Sequence, residues 1–414
     1  MTRVSASDLA FGPFRVSHRT VRLWLLLLPV WVIGIGEYTR FVTNNSTSGL
    51  KEANGFVKGR DFVQFYVAGT LATEGQWHAL YDVTALKQEV ARIVPAAAGD
   101  IPAPVYGPQV ALLFAPLSWL PYITARWCWF IASAVLYIVG AALVMRAAAP
   151  LHGFRAIAWI SLLCNPALAM LLATGQTGAL AMLMWALAIA AAMGSRKVLC
   201  GACLGLLLYK PSLLIGAIPP LVILGCWRAL AGIVISAVVQ CGVTTMISGI
   251  DAWLYYFNSV TTLSRYYFLT DTIPHHKQSI LGFFQLMLGS GPAAALLAAI
   301  AATGVLTVWW LHRGDDPGRW FVALLLVTTI VLSPHFYVYD LIVLTPALLV
   351  VSHSLTELPD SRRKRTLSGA GYAVLFAPYS GVFAVHSRFQ VSTVVLTLLL
   401  VAVHQQWVAC RVSR

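Results

Sequence analysis

The sequence predicts an all-α protein that crosses a lipid bilayer about twelve times, within a range of about 10–13 spans. Three observations carry that reading. Of 414 residues, 59% are hydrophobic and 10% charged, with a mean hydropathy of +0.76, whereas soluble domains carry roughly 25% charged residues. A soluble body of this size would lack the polar surface to cover itself, and a bilayer removes that need. Apolar runs with charged or Pro/Gly-rich borders recur along the chain, at lengths that reach or nearly reach across a hydrocarbon core of ~30 Å. The runs are almost free of charge, which collects in the loops between them.

The first span is expected at 22–38. Arg3, Arg15, Arg19 and Arg22 lead into the apolar run Leu23–Ile35, and Gly36-Glu37-Tyr38 follows where a cleaved leader would have a small-residue site, so the segment reads as an uncleaved signal anchor. Further spans are expected near 122–146, 154–173, 177–193, 197–209, 212–225, 229–249, 293–312, 319–333, 338–352, 369–385 and 391–409. Gln109–Leu120 is too short to cross, and counting it would invert every later loop. It is expected to be re-entrant or to lie on the outer surface. The two long connections, 40–107 and 250–292, fall outside in this arrangement. Within the first, Asp61–Glu74 and Val83–Val94 have apolar residues at helical spacing and read as helices lying in the membrane interface. No repeat or second soluble unit is visible, so the chain reads as one domain.

Charge orients the bundle. With the N-terminus inside, the inner segments hold 17 of the 28 Lys and Arg residues, including Arg362, Arg363, Lys364 and Arg365, as expected where short cytoplasmic loops are enriched in Lys and Arg. Both termini are therefore expected in the cytoplasm of a multi-pass plasma-membrane protein. The net charge of +13 does not indicate nucleic acid, because no basic stripe with interleaved aromatics accompanies it. Cys200 and Cys203 have CxxC spacing but sit in an apolar stretch without a second pair, and read as small buried hydrophobes.

Ionisable residues are costly in a membrane and mark partners or polar cavities. Asp340 is the one carboxylate set within an apolar run; Lys210 lies at an outer turn. Other polar candidates gather on the outer side. The first loop offers Arg60, Asp61, Glu74, His78 and Asp82, and the second offers Arg265, Asp271, His275, His276 and Lys277. The turn Ser333-Pro334-His335-Phe336-Tyr337-Val338-Tyr339-Asp340 adds His335 and Asp340. A carboxylate there suits a general base, and clustered cations suit a phosphate. Neighbouring aromatics such as Tyr66 and Tyr337 suit a sugar ring or a lipid headgroup. Each feature has a plainer reading. Asp61 with Gln64 has capping-box spacing, Asp82 suits a helix cap, His275-His276-Lys277 suits a solvated turn, and His335 suits an interfacial histidine.

The residues Arg60-Asp61-Phe62-Val63-Gln64-Phe65-Tyr66-Val67-Ala68-Gly69, Leu80-Tyr81-Asp82, Val105-Tyr106-Gly107-Pro108, Gly175-Gln176, Lys210-Pro211 and Ser333-Pro334-His335 with Tyr339-Asp340 resemble, in order, the polyprenol-phosphate-mannose-dependent mannosyltransferases. These form glycosyltransferase family eighty-seven, within the GT-C superfamily. The pattern departs at Gly107, where a second proline is expected, and at Gly178, where asparagine is. The resemblance implies a GT-C fold with outer-face juxtamembrane helices and an active site at the outer leaflet. It implies a polyprenyl-phosphate-linked sugar donor, a lipid or glycan acceptor, and Asp61 as the base. On that basis His275, His276, Lys277, Arg265 and His335 are candidates for the donor phosphate. Arg60, Tyr66, Gln176, Lys210, Tyr337 and Asp340 are candidates for donor or acceptor contacts. No metal ligand set and no cofactor motif is expected, because no Asp/Glu cluster has metal spacing. The alternative class is a lipid or small-solute transporter, which would need polar residues along a path through the membrane.

Overall fold

A computed structural model describes residues 8–11, 14–99, 105–270, 274–313 and 318–412. A short antiparallel hairpin, β1 (Asp8–Phe11) and β2 (Phe14–Ser17), precedes a chain that is otherwise helical. The first long helix is α1 (His18–Asn45). The connection after it carries α2 (Phe62–Thr73), α3 (Trp77–Tyr81), α4 (Val83–Ile93) and α5 (Pro108–Phe114). Next come α6 (Tyr122–Ala147), α7 (Arg155–Leu163), α8 (Pro166–Thr174), α9 (Gly178–Met193), α10 (Lys197–Gly205), α11 (Pro211–Ile223) and α12 (Trp227–Ser248). The last part holds α13 (Ile250–Thr270), α14 (Ile280–Leu288), α15 (Pro292–Leu311), α16 (Gly318–Leu332), α17 (Thr345–Glu357), α18 (Arg362–Val374), α19 (Ser380–Ser387) and α20 (Val391–Val412).

Among the described residues, seven helical segments are long and apolar enough to cross a membrane: Thr20–Asn45, Tyr122–Ala147, Arg155–Thr174, Trp227–Ser248, Pro292–Leu311, Val338–Glu357 and Val391–Ala409. The protein is a polytopic all-α membrane protein. Four other expected spans are shorter apolar helices: Gly178–Met193, Lys197–Tyr209, Pro211–Ile223 and Trp320–Leu332. At ~1.5 Å per residue a 13-residue helix reaches ~20 Å, so these do not match the bilayer by themselves. Of these, α9 buries ten residues, among them Met182, Trp185 and Ile189, whereas α10 and α11 expose Val198, Leu199, Ile215 and Val222. The expected span 369–385 is broken, because a 3₁₀ turn at Ala377–Tyr379 carrying Pro378 separates α18 from α19.

The long spans turn apolar side chains outward, as lipid contact requires. Leu25 and Val32 on α1, Ile131 and Val135 on α6, Val238 and Met246 on α12, and Leu296 and Ile300 on α15 are all exposed. Inside, small residues let helices approach. A Cβ at Gly201 of α10 would lie 1.8 Å from the Ala229 carbonyl oxygen of α12, and one at Gly232 of α12 would lie 2.1 Å from the Val198 oxygen. Gly201 and Gly205 thus form a small-xxx-small seam, the kind of contact that holds helices together where lipid supplies no hydrophobic drive.

Three of the connections pack against the rest of the chain. Helix α2 buries Phe62, Val63, Phe65, Tyr66, Val67 and Leu71 against the rest of the chain. Its partner is the 109–120 segment, which keeps Leu113 and Trp119 exposed. That segment forms α5 and a 3₁₀ turn (Ala115–Trp119) packed on α2, with the Phe65 and Phe114 rings stacked at 4.7 Å. The third is 250–292, which is largely helix. Tyr255 and Tyr256 of α13 stand edge-on to His78 and Tyr81 at 5.3 and 5.6 Å, so α13 packs on α3.

Candidate functional site

Four chain turns meet at the end of the bundle beside α2: the turn before α2, the α8–α9 turn, the α10–α11 turn and the segment before α17. Each presents a polar side chain, and the reasons lie in local sequence.

The turn before α2 runs through Gly59 at φ +85° and Arg60 at φ +33°. Its carbonyls satisfy the first helical amides: Phe62 N–H donates to Gly59 O and Val63 N–H to Arg60 O. The Asp61 carboxylate therefore has no capping hydrogen bond, although Asp61 occupies the N-cap position. It accepts instead from Gln176 Nε2 at 2.8 Å. The capping reading of Asp61 is not what the structure contains. Gln176 reaches it because Gly175 ends α8 in the left-handed region at φ +75°, where a Cβ would lie 2.7 Å from Phe62 Cβ. Glycine is required there on both counts. The Gln176 amide also meets the Tyr106 hydroxyl, at 3.5 Å from Oε1.

Lys210 begins α11 and donates through Nζ to Asp340 Oδ1. Both are buried, Asp340 completely. Asp340 also caps the 3₁₀ segment Val338–Leu344, its Oδ2 accepting from Tyr337 N–H at 3.3 Å. The Tyr209 hydroxyl donates to Thr177 O at 2.9 Å and so ties the Lys210 turn to the Gln176 turn. Lys210 Nζ stands 5.7 Å from the centre of the Tyr339 ring.

These groups share one electrostatic environment. Burial raises the Asp61 carboxyl above its ordinary range, against the lowering effects of the Gln176 hydrogen bond and the charges of Arg60 and Lys210, with Asp340 adding a further rise. Burial raises the Tyr106 phenol well above its usual value, with Asp340, Tyr209 and Asp61 adding to the effect. The result is a polar cluster in which a carboxylate of raised basicity is oriented by an amide, beside an internally neutralised Lys–Asp pair. Such perturbed carboxylates are typical of general bases.

A second group borders the first. Lys277 pairs with Tyr337 in an antiparallel bridge, and Gln278 N–H donates to Phe336 O at 2.7 Å. The His275–Lys277 segment and the His335–Asp340 turn are thus one wall, and the Tyr337 and Tyr339 rings stack at 5.7 Å along it. His335 packs edge-on to Tyr337 at 4.5 Å and is exposed; His275 and His276 pack at 4.5 Å. Gln390 Nε2 holds the wall from behind through the carbonyls of His275 and Lys277. Burial lowers both histidines below the ordinary imidazole range. Lys277 Nζ is buried and donates to Gln285 Oε1 at 2.9 Å.

Of the sequence candidates, Asp61, Gln176, Lys210 and Asp340 come together, and His275, His276, Lys277, His335 and Tyr337 form the adjoining wall. Others point elsewhere. Arg60 pairs with Glu52 at 3.5 Å and lies over the Phe56 ring. The Tyr66 hydroxyl donates to Leu120 O at 2.8 Å. The Arg265 side chain lies outside the described residues, as does Asp271. Tyr106 and Tyr339 were not among the candidates. Tyr106 sits in the Val105-Tyr106-Gly107-Pro108 motif, a signal that marked the segment but not the hydroxyl. Among the described residues no three His, Cys, Asp or Glu side chains converge on a metal-sized site.

The fold and site define a membrane-embedded enzyme class: a helical bundle with its polar chemistry gathered where its turns meet. The model of glycosyltransferase family 87 matches residues 105–334, more than half of the chain, and the chain belongs to that family. It is a glycosyltransferase. The matched region includes Tyr106, Gln176, Lys210 and Lys277; Asp61 and Asp340 lie outside it. No curated protein and no solved structure matches the chain.

Proposed function

We propose that the protein transfers a hexose, mannose in the first instance, from a polyprenyl-phosphate-linked donor to the hydroxyl of a lipid or glycan acceptor. Asp61 is the general base. The observation that carries this reading is that the Asp61 carboxylate is not used as a helix cap and is held by Gln176 inside the four-turn cluster.

In this mechanism Asp61 takes the proton of the acceptor hydroxyl as its oxygen attacks the anomeric carbon. The bond from that carbon to the donor phosphate oxygen breaks, and the electron pair leaves with the phosphate. A single displacement inverts the anomeric configuration. Gln176 fixes the Asp61 oxygen that does not take the proton. The wall of His275, His276 and His335 receives the leaving phosphate. Neutral imidazoles there act by donating N–H hydrogen bonds to the developing anion, a fixed-dipole form of stabilisation. Lys277 supports the wall through Gln285, and Tyr339 and Tyr337 offer faces to the sugar ring. The reaction needs no metal, since the phosphate is met by protein donors. The site faces the extracytoplasmic side of the plasma membrane with both termini cytoplasmic, an orientation supported by the Lys and Arg count of the loops.

The test is transfer of labelled mannose from polyprenyl phosphate mannose into a membrane-lipid extract by the purified protein, wild type beside Asp61→Asn. Loss of a general base lowers the rate by ~10²–10⁴-fold, and that loss in a folded variant is the expected result. Full transfer by Asp61→Asn removes Asp61 from the chemistry.

A further inference from the structure

Beside the Gly59 turn lies a cavity of about 320 Å³, lined in part by Asn45, Lys58, Arg126 and Trp127. That size is within the ~300–1,000 Å³ usual for small-ligand sites. Two cations line it, and both are more than nine-tenths buried: Arg126 is 4% exposed and Lys58 7%. Among the described residues neither has a carboxylate in ion-pair range. Arg126 donates to Asn45 Oδ1 at 2.7 Å, and Lys58 Nζ donates to Thr47 O. The buried carboxylate nearby, Glu52, acts on Arg126 from beyond ion-pair range and is directly engaged by Arg60 at 3.5 Å and by Asn54 Nδ2 at 3.1 Å. Buried charge is ordinarily paired. Here a guanidinium with five N–H donors and an ammonium with three meet one amide oxygen and one carbonyl between them.

The position of the cavity in the bundle says what would complete it. Asn45 is the last residue of α1 and Arg126 lies in the first turns of α6, both membrane-crossing segments. The ends of two candidate spans meet here, and span ends are where headgroups are expected. The Phe41, Trp127 and Phe130 rings cluster around them, with Phe41 and Phe130 stacked at 5.5 Å and Trp127 edge-on to Phe130 at 5.2 Å. Trp127 is 41% exposed. Tryptophan is enriched at the membrane–water boundary. The Arg126 guanidinium lies 5.0 Å from the Trp127 ring centre and 5.6 Å from that of Phe41, which holds it in place. Gly59 is part of the same construction, because a Cβ there would lie 2.9 Å from Arg126 Cδ. The arrangement is a doubly cationic, aromatic-rimmed recess at the ends of two candidate spans.

We propose that this recess is a binding site for the phosphate group of a membrane lipid, held by Arg126 and Lys58 and separate from the Asp61 cluster. Arg126 supplies N–H bonds in a planar fork that matches phosphate oxygens, and Lys58 supplies a point charge. The acyl or prenyl chain runs along the outward apolar faces of α1 and α6. Two lipid classes carry this chemistry, an anionic phospholipid and a polyprenyl phosphate. The proposal rests on the protein being membrane-embedded and not on the mannosyl reading.

The test is native mass spectrometry of the full-length protein in detergent, titrated separately with phosphatidylglycerol, polyprenyl phosphate and zwitterionic phosphatidylcholine. Wild type, Lys58→Gln, Arg126→Lys and Lys58→Gln/Arg126→Gln proteins are compared, each checked for an unchanged melting profile. The wild type should hold at least one of the anionic lipids more tightly than phosphatidylcholine. The double variant should lose roughly 10–100-fold in affinity for it, the factor carried by one charge-assisted hydrogen bond or a little more. Lys58→Gln should lose less, and Arg126→Lys should keep the charge-dependent part. Loss confined to polyprenyl phosphate identifies the lipid as the donor type, and loss that includes phosphatidylglycerol identifies a bulk phospholipid. Should the double variant fold poorly, Lys58→Gln decides alone, since its ammonium touches a single loop carbonyl. Equal binding of the anionic lipid by wild type and folded variants, or phosphatidylcholine bound as tightly as the anionic lipids, overturns the proposal.

Discussion

Lys210 and Asp340 form a buried ion pair that joins two turns of the site, Asp340 being wholly buried and Lys210 5% exposed. Removing one charge leaves the other in a medium that cannot solvate it, at a cost of about 3–5 kcal/mol. Lys210→Met strands the carboxylate and Asp340→Asn strands the ammonium. Asparagine keeps an oxygen for the Tyr337 amide, so the cap of the Val338–Leu344 segment survives and the loss reports the charge. With an unfolding entropy of ~2.1 cal/mol/K per residue, as in soluble domains, 4 kcal/mol over 414 residues lowers the melting temperature by about 5 °C. Helix retained in the unfolded state reduces that entropy and enlarges the shift. The double variant carries neither charge and loses little beyond one hydrogen bond, about 1–2 kcal/mol. It should therefore melt above both single variants. Light-scattering or fluorescence melts of detergent-purified protein measure all four states of the cycle. A double variant that melts below both singles, by the sum of their losses, would show that the two charges are solvated independently and refute the coupling.

The same charges tune Asp61, and the pH profile of sugar transfer reports them. Activity should fall on the acid side through a pKa above the ordinary carboxyl value of ~3.9, because burial raises Asp61. Gln176→Ala and Lys210→Met remove lowering influences and should move that limb further up, whereas Asp340→Asn removes a raising one and should move it down. Displacement in one common direction would refute the assignment of the limb to Asp61. A carboxyl whose folded pKa lies above its unfolded one binds its proton more tightly when folded, so stability declines as pH rises from the unfolded pKa through the folded one. Asp61→Asn should accordingly melt above wild type at neutral pH, with the gain vanishing below the unfolded pKa; a capping role predicts a lower melting point instead. Gly175→Ala forces an L-residue into φ +75° and a Cβ to 2.7 Å from Phe62. It should cost about 1–2 kcal/mol for the backbone and about 1–3 kcal/mol for overpacking, and lower transfer by displacing Gln176; unchanged melting and activity would show that the turn adapts. Gly201→Leu should separate α10 from α12, giving a folded yield well below that of Ala at the exposed Gly304 position, read by size-exclusion chromatography.

The positions of most helices follow from the sequence, because apolar runs and their charged or Pro/Gly borders are local properties. Thr20–Asn45, Tyr122–Ala147, Trp227–Ser248 and Pro292–Leu311 fall where hydropathy places them. Hydropathy cannot separate a helix that faces lipid from one that faces protein, since both are apolar. Gly178–Met193 and Phe62–Thr73 share the apolar character of the lipid-facing helices, and only their packing shows how much of each is buried. Pro378 was visible in the sequence, but a proline inside an apolar run either kinks or breaks the helix, and its surroundings decide which.

What the sequence determined by itself was a membrane protein, its helical segments, and a set of ionisable residues too few and too costly to be incidental. The ordered motifs also placed Asp61, Gln176, Lys210 and Asp340 as candidates together. Tertiary structure decided the use of each. Spacing allowed Asp61 to cap its helix; the Gly59–Arg60 turn supplied those hydrogen bonds from its own carbonyls and released the carboxylate to Gln176. Arg60 and Tyr66 stand beside Asp61 in sequence yet turn to Glu52 and Leu120. Arg126, one basic residue near the end of a span, became half of a cationic recess when α6 met the end of α1. In each case the deciding quantity is which partner comes within hydrogen-bonding distance, and partners remote in sequence are fixed by helix packing and not by any local pattern.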